Sequence, residues 1–285
     1  MTDMIEMKDF MKKLPGFTLQ DMQMSLPKGY IMGLVGENGA GKTTLLKSLL
    51  GLYKADSGML MIDGMRYPEQ EKEIKDRIGF VLEENLFCGE LSLQENAETY
   101  GYFYSQYSRE KFLEYCKRFS LHENQKLKKV SKGENLKFQF AFALSHNPKL
   151  LILDEPTANF DREFRKEFLK ILTEFVKDGE KSVLLATHVT EDLDRIADYI
   201  TFLHKGTMLF SKDREELEQS YMLLTGEEYK INLLPPNEII YKETGTYGTK
   251  ALVRYRRRYR ENPAFTVEIP SIEDIMYYLI LSMKN

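Results

Sequence analysis

Tyr30-Ile31-Met32-Gly33-Leu34-Val35 runs into Gly36-Glu37-Asn38-Gly39-Ala40-Gly41-Lys42-Thr43, and Thr44-Leu45-Leu46-Lys47-Ser48-Leu49-Leu50 follows. The order is an apolar strand, a turn that fits G-x-x-x-x-G-K-[ST], and a helix. Glycines at 36, 39 and 41 let backbone N–H groups wrap phosphates, Lys42 reaches the terminal ones, and the Thr43 hydroxyl can ligate Mg²⁺. A helix starting there directs its positive end at the anion. The stretch predicts a nucleoside triphosphate site and an α/β fold around it.

Composition sets the outer bounds. With 285 residues there is room for one large domain, or a medium one with an appendage. A hydrophobic share of 42% supports a proper core and excludes wholesale disorder. The net charge of −4 argues against a chain built for nonspecific nucleic-acid binding. Cys88 and Cys116 are the two cysteines, which suits a reducing compartment and supplies no disulfide framework. The acidic start, Met1 to Glu6, lacks the features of a secretory signal. No apolar run approaches the about eighteen residues needed to span a bilayer. A soluble chain is expected, with any membrane role exercised through a partner.

Working outward, Leu19, Met22, Met24 and Leu26 alternate as in a strand, and Ser57 to Gly64 reads as another between turns. From about 88 to 146 the spacing becomes helical and rich in aromatics, among them Tyr100, Phe112, Phe119, Phe138 and Phe142. These read as the core of a helical subdomain. Leu150 to Leu153 and Ser182 to Ala186 are continuous apolar runs, the pattern of strands buried on both faces of a parallel sheet. A helical face from Phe164 to Phe175, closed by Asp178-Gly179, lies between them and completes a strand–helix–strand unit. The texture changes again near 212–225: Ser211 to Leu217 reads as a charged helix, and Thr244-Gly245-Thr246-Tyr247-Gly248 as a turn between strands. The expected domains are therefore 1–212 and 213–285.

Leu150-Leu151-Ile152-Leu153-Asp154-Glu155 ends a buried strand in two carboxylates. Beside the strand that feeds a phosphate loop, Asp154 can hold magnesium and Glu155 can polarise an attacking water. With the phosphate loop, Ile78 to Glu83, Val130-Ser131-Lys132-Gly133-Glu134, Ala158-Asn159-Phe160-Asp161 and Thr187-His188, the chain carries six segments whose order and spacing resemble the ATP-binding subunits of ABC transporters over roughly residues 5–210. That resemblance implies a P-loop NTPase fold of ABC type, with a β-rich N-terminal subdomain, a central mostly parallel sheet and the helical subdomain. It also implies a small α+β domain at the C-terminus, since the ending resembles the bacitracin-export type.

The resemblance further implies roles. ATP would be bound by Gly36, Glu37, Asn38, Gly39, Ala40, Gly41, Lys42, Thr43 and Thr44, with Mg²⁺ on Thr43, Asp154 and Glu83. Glu155 and His188 would be catalytic. Ser131, Gly133 and Glu134 form the signature presented to the ATP of a head-to-tail partner, and Ser131 with Glu134 also reads as a capping box. Four positions depart from the family pattern. Lys132 replaces a glycine and Glu134 a glutamine, Glu83 stands where glutamine is commonest, and Leu14 stands where an aromatic stacks on adenine. Phe17 is the candidate substitute there, beside a core reading. His122, His146 and His204 read as residues of polar or turn contexts.

Arg254-Tyr255-Arg256-Arg257-Arg258-Tyr259-Arg260 offers guanidinium groups and rings to nucleic acid or anionic lipid, or forms an exposed strand offset by nearby acids. The acidic total favours the second, so nucleic acid is not an expected partner. Ser271 and Asp274 predict the cap of a terminal helix. The preferred expectation is an ATPase subunit, a homodimer or a dimer with a similar subunit. It would drive a polytopic membrane permease, for export, from the cytoplasmic face of the membrane. The alternatives are a soluble ABC-type ATPase of translation or DNA maintenance, and a weakly hydrolysing regulatory ATP-binding module.

Overall fold

The computed structural model describes residues 3–84, 86–246 and 248–284. Met1-Thr2 of the acidic start, Asn85 after the Glu83 segment and Tyr247 of the expected 244–248 turn lie outside the described residues. Chain contacts define two units, Met1–Val189 with Ile196–Ser211, and Thr190–Arg195 with Lys212–Asn285.

In the first unit, β1 (Asp3–Leu14) and β2 (Phe17–Pro27) form an antiparallel hairpin. Pro15-Gly16 turns it, with Gly16 at φ +75. The predicted alternation is visible: Leu19, Met22, Met24 and Leu26 are buried between exposed neighbours. Next come β3 (Ile31–Val35), α1 (Lys42–Leu49), β4 (Ser57–Ile62), β5 (Met65–Arg66), α2 (Glu71–Asp76) and β6 (Ile78–Val81). Helices α3 (Leu93–Gly101), α4 (Arg109–Arg118) and α5 (Lys132–Ser145) follow, then β7 (Leu150–Asp154), α6 (Arg162–Phe175), β8 (Ser182–Ala186), β9 (Tyr199–His204) and β10 (Thr207–Asp213), while α7 (Thr190–Ile196), between β8 and β9 in the chain, falls almost wholly in the second unit. Among the described residues these strands make one sheet in the order β5-β4-β1-β2-β10-β9-β3-β8-β7-β6. The run β9-β3-β8-β7-β6 is parallel, and β3, β7 and β8 are buried along their whole length.

One expectation needs correcting. The carboxylate strand β7 does not lie beside the loop's strand β3, because β8 sits between them. Asp154 still reaches the loop, since α1 leaves β3 and packs across toward β7. In register, Leu34, Ala186 and Asp154 lie in line across the three strands, so their carboxyl ends open on one edge.

The helical segment packs through its rings. Phe112, Phe138 and Phe140 are fully buried, and Phe119 stacks on Phe140 with centroids 5.7 Å apart. His146 belongs to this core rather than to a polar surface: Nδ1 is 3.1 Å from Phe142 O, Nε2 is 3.2 Å from Ile78 O, and the ring stacks on Tyr104. Burial pushes its pKa down to about 4, so the ring is neutral and donates to one carbonyl at a time.

The second unit holds α8 (Arg214–Glu218), β11 (Tyr221–Gly226), α9 (Glu228–Asn232), β12 (Ile239–Gly245), β13 (Gly248–Arg254), α10 (Arg257–Arg260), β14 (Thr266–Glu268) and α11 (Ile272–Ser282). Its antiparallel sheet runs β12-β13-β11-β14, over a core of Met222, Leu224, Ile231, Ala251, Val253 and Tyr259. The predicted cap on α11 is a complete capping box of Ser271 and Asp274. Ser211 to Asp213, expected in a helix, end β10 instead, and Asp213 caps α8 by accepting Glu216 N–H.

The basic stretch is not an exposed strand. It leaves β13 at Arg254 and turns into α10, with Arg256 Nε 3.0 Å and Arg258 Nη2 2.5 Å from the Glu238 carboxylate. The buried Tyr259 hydroxyl donates to the same group. A carboxylate withdrawn from water needs such donors, which Arg256 and Arg258 supply while remaining exposed themselves.

Candidate functional site

Helix α1 begins at Lys42, directly after Gly41 at φ 109, and no side chain caps it. Two glycines are there for space. A Cβ on Gly36 would come within 2.3 Å of Leu203 O, and one on Gly41 within 2.6 Å of the Phe17 ring. Lys42 is buried, with Nζ donating to Gly36 O at 2.8 Å across the turn. The cavity here is about 400 Å³ and is lined by Glu37, Asn38, Gly39, Gly41, Lys42, Thr43 and Thr44 from the loop, with Leu14, Pro15, Phe17, Glu83, Asp154 and Glu155 around it. Gly36 and Ala40 support it from behind, the Ala40 carbonyl accepting Gly206 N–H.

Thr43 Oγ1 donates to Asp154 Oδ2 at 3.2 Å. Burial raises the Asp154 pKa; the Thr43 hydrogen bond and Lys42 oppose this, while the charges of Glu155 and Glu83 add to it. A hydroxyl and two carboxylates facing one cavity are a hard oxygen donor set, which fits a small divalent cation. Glu83 is also paired with Lys132, Oε1 to Nζ at 2.8 Å, and this partner holds its carboxyl below the usual range.

Glu155 follows the strand at φ 47, an uncommon conformation for a residue with a side chain. Its N–H donates to Ala186 O at 2.9 Å. His188 fixes the carboxylate: its N–H donates to Glu155 Oε2 at 3.2 Å, and ring Nδ1 is 2.7 Å from the same oxygen. A carboxylate so held can orient and polarise a water beside the cavity.

The remaining segment stands elsewhere. Ser131 and Glu134 make the predicted capping box on α5, with Glu134 N–H donating to Ser131 Oγ at 3.1 Å and Ser131 N–H to Glu134 Oε2 at 2.8 Å. Gly133 packs close enough to the 158–161 loop that a Cβ would meet Asn159 O at 2.7 Å. Neither Ser131, Gly133 nor Glu134 lines the cavity of its own chain. The structure thus gathers residues 36–44, Phe17, Glu83, Asp154, Glu155 and His188, and leaves Ser131, Gly133 and Glu134 apart.

Sequence reading passed over several neighbours. His204, expected in a polar or turn context, is mostly buried at the end of β9, with Nδ1 3.3 Å from Glu37 Oε2. Pro15 lines the cavity, and Gln139 grips Leu82. Gln139 stands among the apolar residues of α5, and a lone amide in such a run is the signal that marks it.

The sequence profile of the family described as ABC transporter matches residues 19–158. The ABC transporter ATP-binding protein NatA of Bacillus subtilis (strain 168) is 30% identical over 213 residues, 71% of this chain and 84% of the relative. The bacitracin transport ATP-binding protein BcrA of Bacillus licheniformis is 32% identical over 194 residues, 67% of this chain and 63% of the relative. A solved ATP-binding subunit of an ABC transporter superposes with a TM-score of 0.70 at 24% identity, covering 75% of this chain and 92% of that one. A cassette solved as a dimer in a post-hydrolysis state gives 0.66 at 24%, covering 74% and 98%. The chain belongs to the ATP-binding subunits of ABC transporters, as an ATPase of that family.

Proposed function

We propose that two such chains, identical or similar, pack head to tail around two Mg²⁺–ATP. Each site would combine one chain's Gly36–Thr43, Thr44, Asp154, Glu155 and His188 with the other's Ser131, Gly133 and Glu134. The observation that carries this reading is the division of the site. The phosphate loop, Asp154 and Glu155 share a cavity, while the signature residues stand outside it at an exposed helix start.

Thr43, Asp154 and Glu83 would hold Mg²⁺, which when bound neutralises charge on the terminal phosphates. Lys42 exchanges Gly36 O for a phosphate oxygen. Glu155, oriented by His188, accepts a hydrogen bond from the attacking water. Phe17, packed on Gly41 at the cavity rim, offers a face to the base.

Closure on ATP and reopening would drive a membrane permease from its cytoplasmic side. A second cavity of about 720 Å³, lined by Phe80, Leu86, Phe87, Tyr100, Phe103 and Phe142 among others, supports this reading. It is apolar, and Phe103 and Leu86 are exposed. No helix among the described residues is long and apolar enough to cross a membrane. Export is favoured by relatives named for bacitracin and lantibiotic transport and for Nod factor export. The translation and DNA-maintenance alternatives find no support among these relatives, which are named as ATP-binding proteins of transporters.

The test is Glu155→Gln. Hydrolysis should fall about 100-fold or more, and the variant should elute as a dimer with Mg²⁺–ATP. Undiminished hydrolysis would refute the role of Glu155, and a monomer saturated with ATP would refute the composite site. The permease is tested separately, by asking which polytopic membrane protein co-purifies.

A further inference from the structure

Helix α5 is fastened at two points to the segment that carries Glu83. Gln139, almost fully buried, accepts Leu82 N–H at 2.9 Å and donates to Leu82 O at 3.1 Å. Both backbone groups of Leu82 are thereby satisfied from one side chain, which fixes the residue just before Glu83. At the helix start, Lys132 Nζ meets Glu83 Oε1 at 2.8 Å. Two of the departures from the family pattern, Lys132 and Glu83, are therefore partners. A carboxylate at 83 faces a cavity that already holds Asp154 and Glu155. Lys132 supplies the cation that offsets it.

We infer that Lys132 and the Mg²⁺ of the chain's own site compete for Glu83, so that loading one site releases the lysine at the signature of the other. Two cations drawn to one small carboxylate repel each other, so binding of either weakens the hold of the other on Glu83. Lys132 is then a free ammonium at the helix start that faces the neighbour's nucleotide. Gln139 is the positioning residue, because it keeps Leu82 on α5 while Glu83 changes partner. The inference rests on the composite site proposed above and adds an order of events to it.

Nucleotide affinity of the full chain, read by displacement of a fluorescent ATP analogue, is measured with Mg²⁺ and with EDTA. Lys132→Met should raise the ratio of Mg²⁺–ATP to ATP affinity about two- to fivefold, the range open to an exposed ion pair. In a Glu83→Gln background the same substitution should leave the ratio unchanged. A ratio that stays level or falls in Lys132→Met overturns the competition, as does an equal rise in both backgrounds. Lys132→Gln, melted alongside, reports whether either chain is misfolded. If Lys42→Ala binds ATP as tightly as the parent, the phosphate-loop reading itself fails. If Lys42→Ala is impaired and Lys132→Met is inert, only the competition fails.

Discussion

Helices α1 and α5 both start at the functional face, and they start in opposite ways. Helix α1 opens on Gly41 with no side-chain cap and no acid in its first turn. Helix α5 opens on Ser131, and Glu134 closes a full capping box. The first leaves its N–H groups to an anion from outside. The second has satisfied two of its own already, so what it can still offer a phosphate is the Ser131 hydroxyl, the remaining N–H groups and the Lys132 ammonium. One helix start is therefore left open at its N–H groups, and the other is closed by its own side chains.

The contrast is open to attack from several sides. The heaviest blow falls on α1. Lys42→Ala removes a charged donor from the open end and should weaken ATP binding about 100-fold by displacement titration; a loss under threefold would mean that backbone groups alone hold the phosphates. Of similar size is the anchorage of α5, where His146 is buried. Its depressed pKa means that the unfolded chain takes up a proton first as pH falls, so stability is present above about 6.5 and drains away toward about 4. The loss comes to about 3 kcal/mol, and His146→Gln should flatten that limb of the urea-denaturation pH profile. Ser131→Ala tests the closed cap itself and should cost about 1 kcal/mol, or about 2–4 °C of melting temperature; an unshifted melt would show the cap to be idle.

The smallest effect sharpens the open end. Asp154 is pushed up by burial, so its ionisation opposes folding; that cost is absent below about pH 4 and grows as pH rises through the folded value. Asp154→Asn should accordingly raise the melting temperature of the nucleotide-free chain at pH 7, with the gain closing toward pH 4.

Legibility followed locality. The loop, the carboxylate pair and the caps at Ser131 and Ser271 are written in consecutive residues, and strand, turn and helix preferences act over the same range. The placement of β8 between β3 and β7 depends on sheet order, which local pattern does not encode. The pairing of Arg256 and Arg258 depends on Glu238, roughly twenty positions away, and nothing in the run of arginines announces it. The burial of His146 is hidden for the same reason, since beside Phe142 on its own helix it rests on Tyr104 and Ile78, both distant in sequence. The pairing of Glu83 with Lys132 is the nearest miss. Both were visible as departures, and only the fold makes them one feature.

Gly133 carries a last consequence. Because a methyl there would collide with the Asn159 carbonyl of the same chain, this glycine answers to the fold of a single copy before any second copy arrives. A defective Gly133→Ala chain would speak first of how α5 seats on its own 158–161 loop, and only afterwards of assembly.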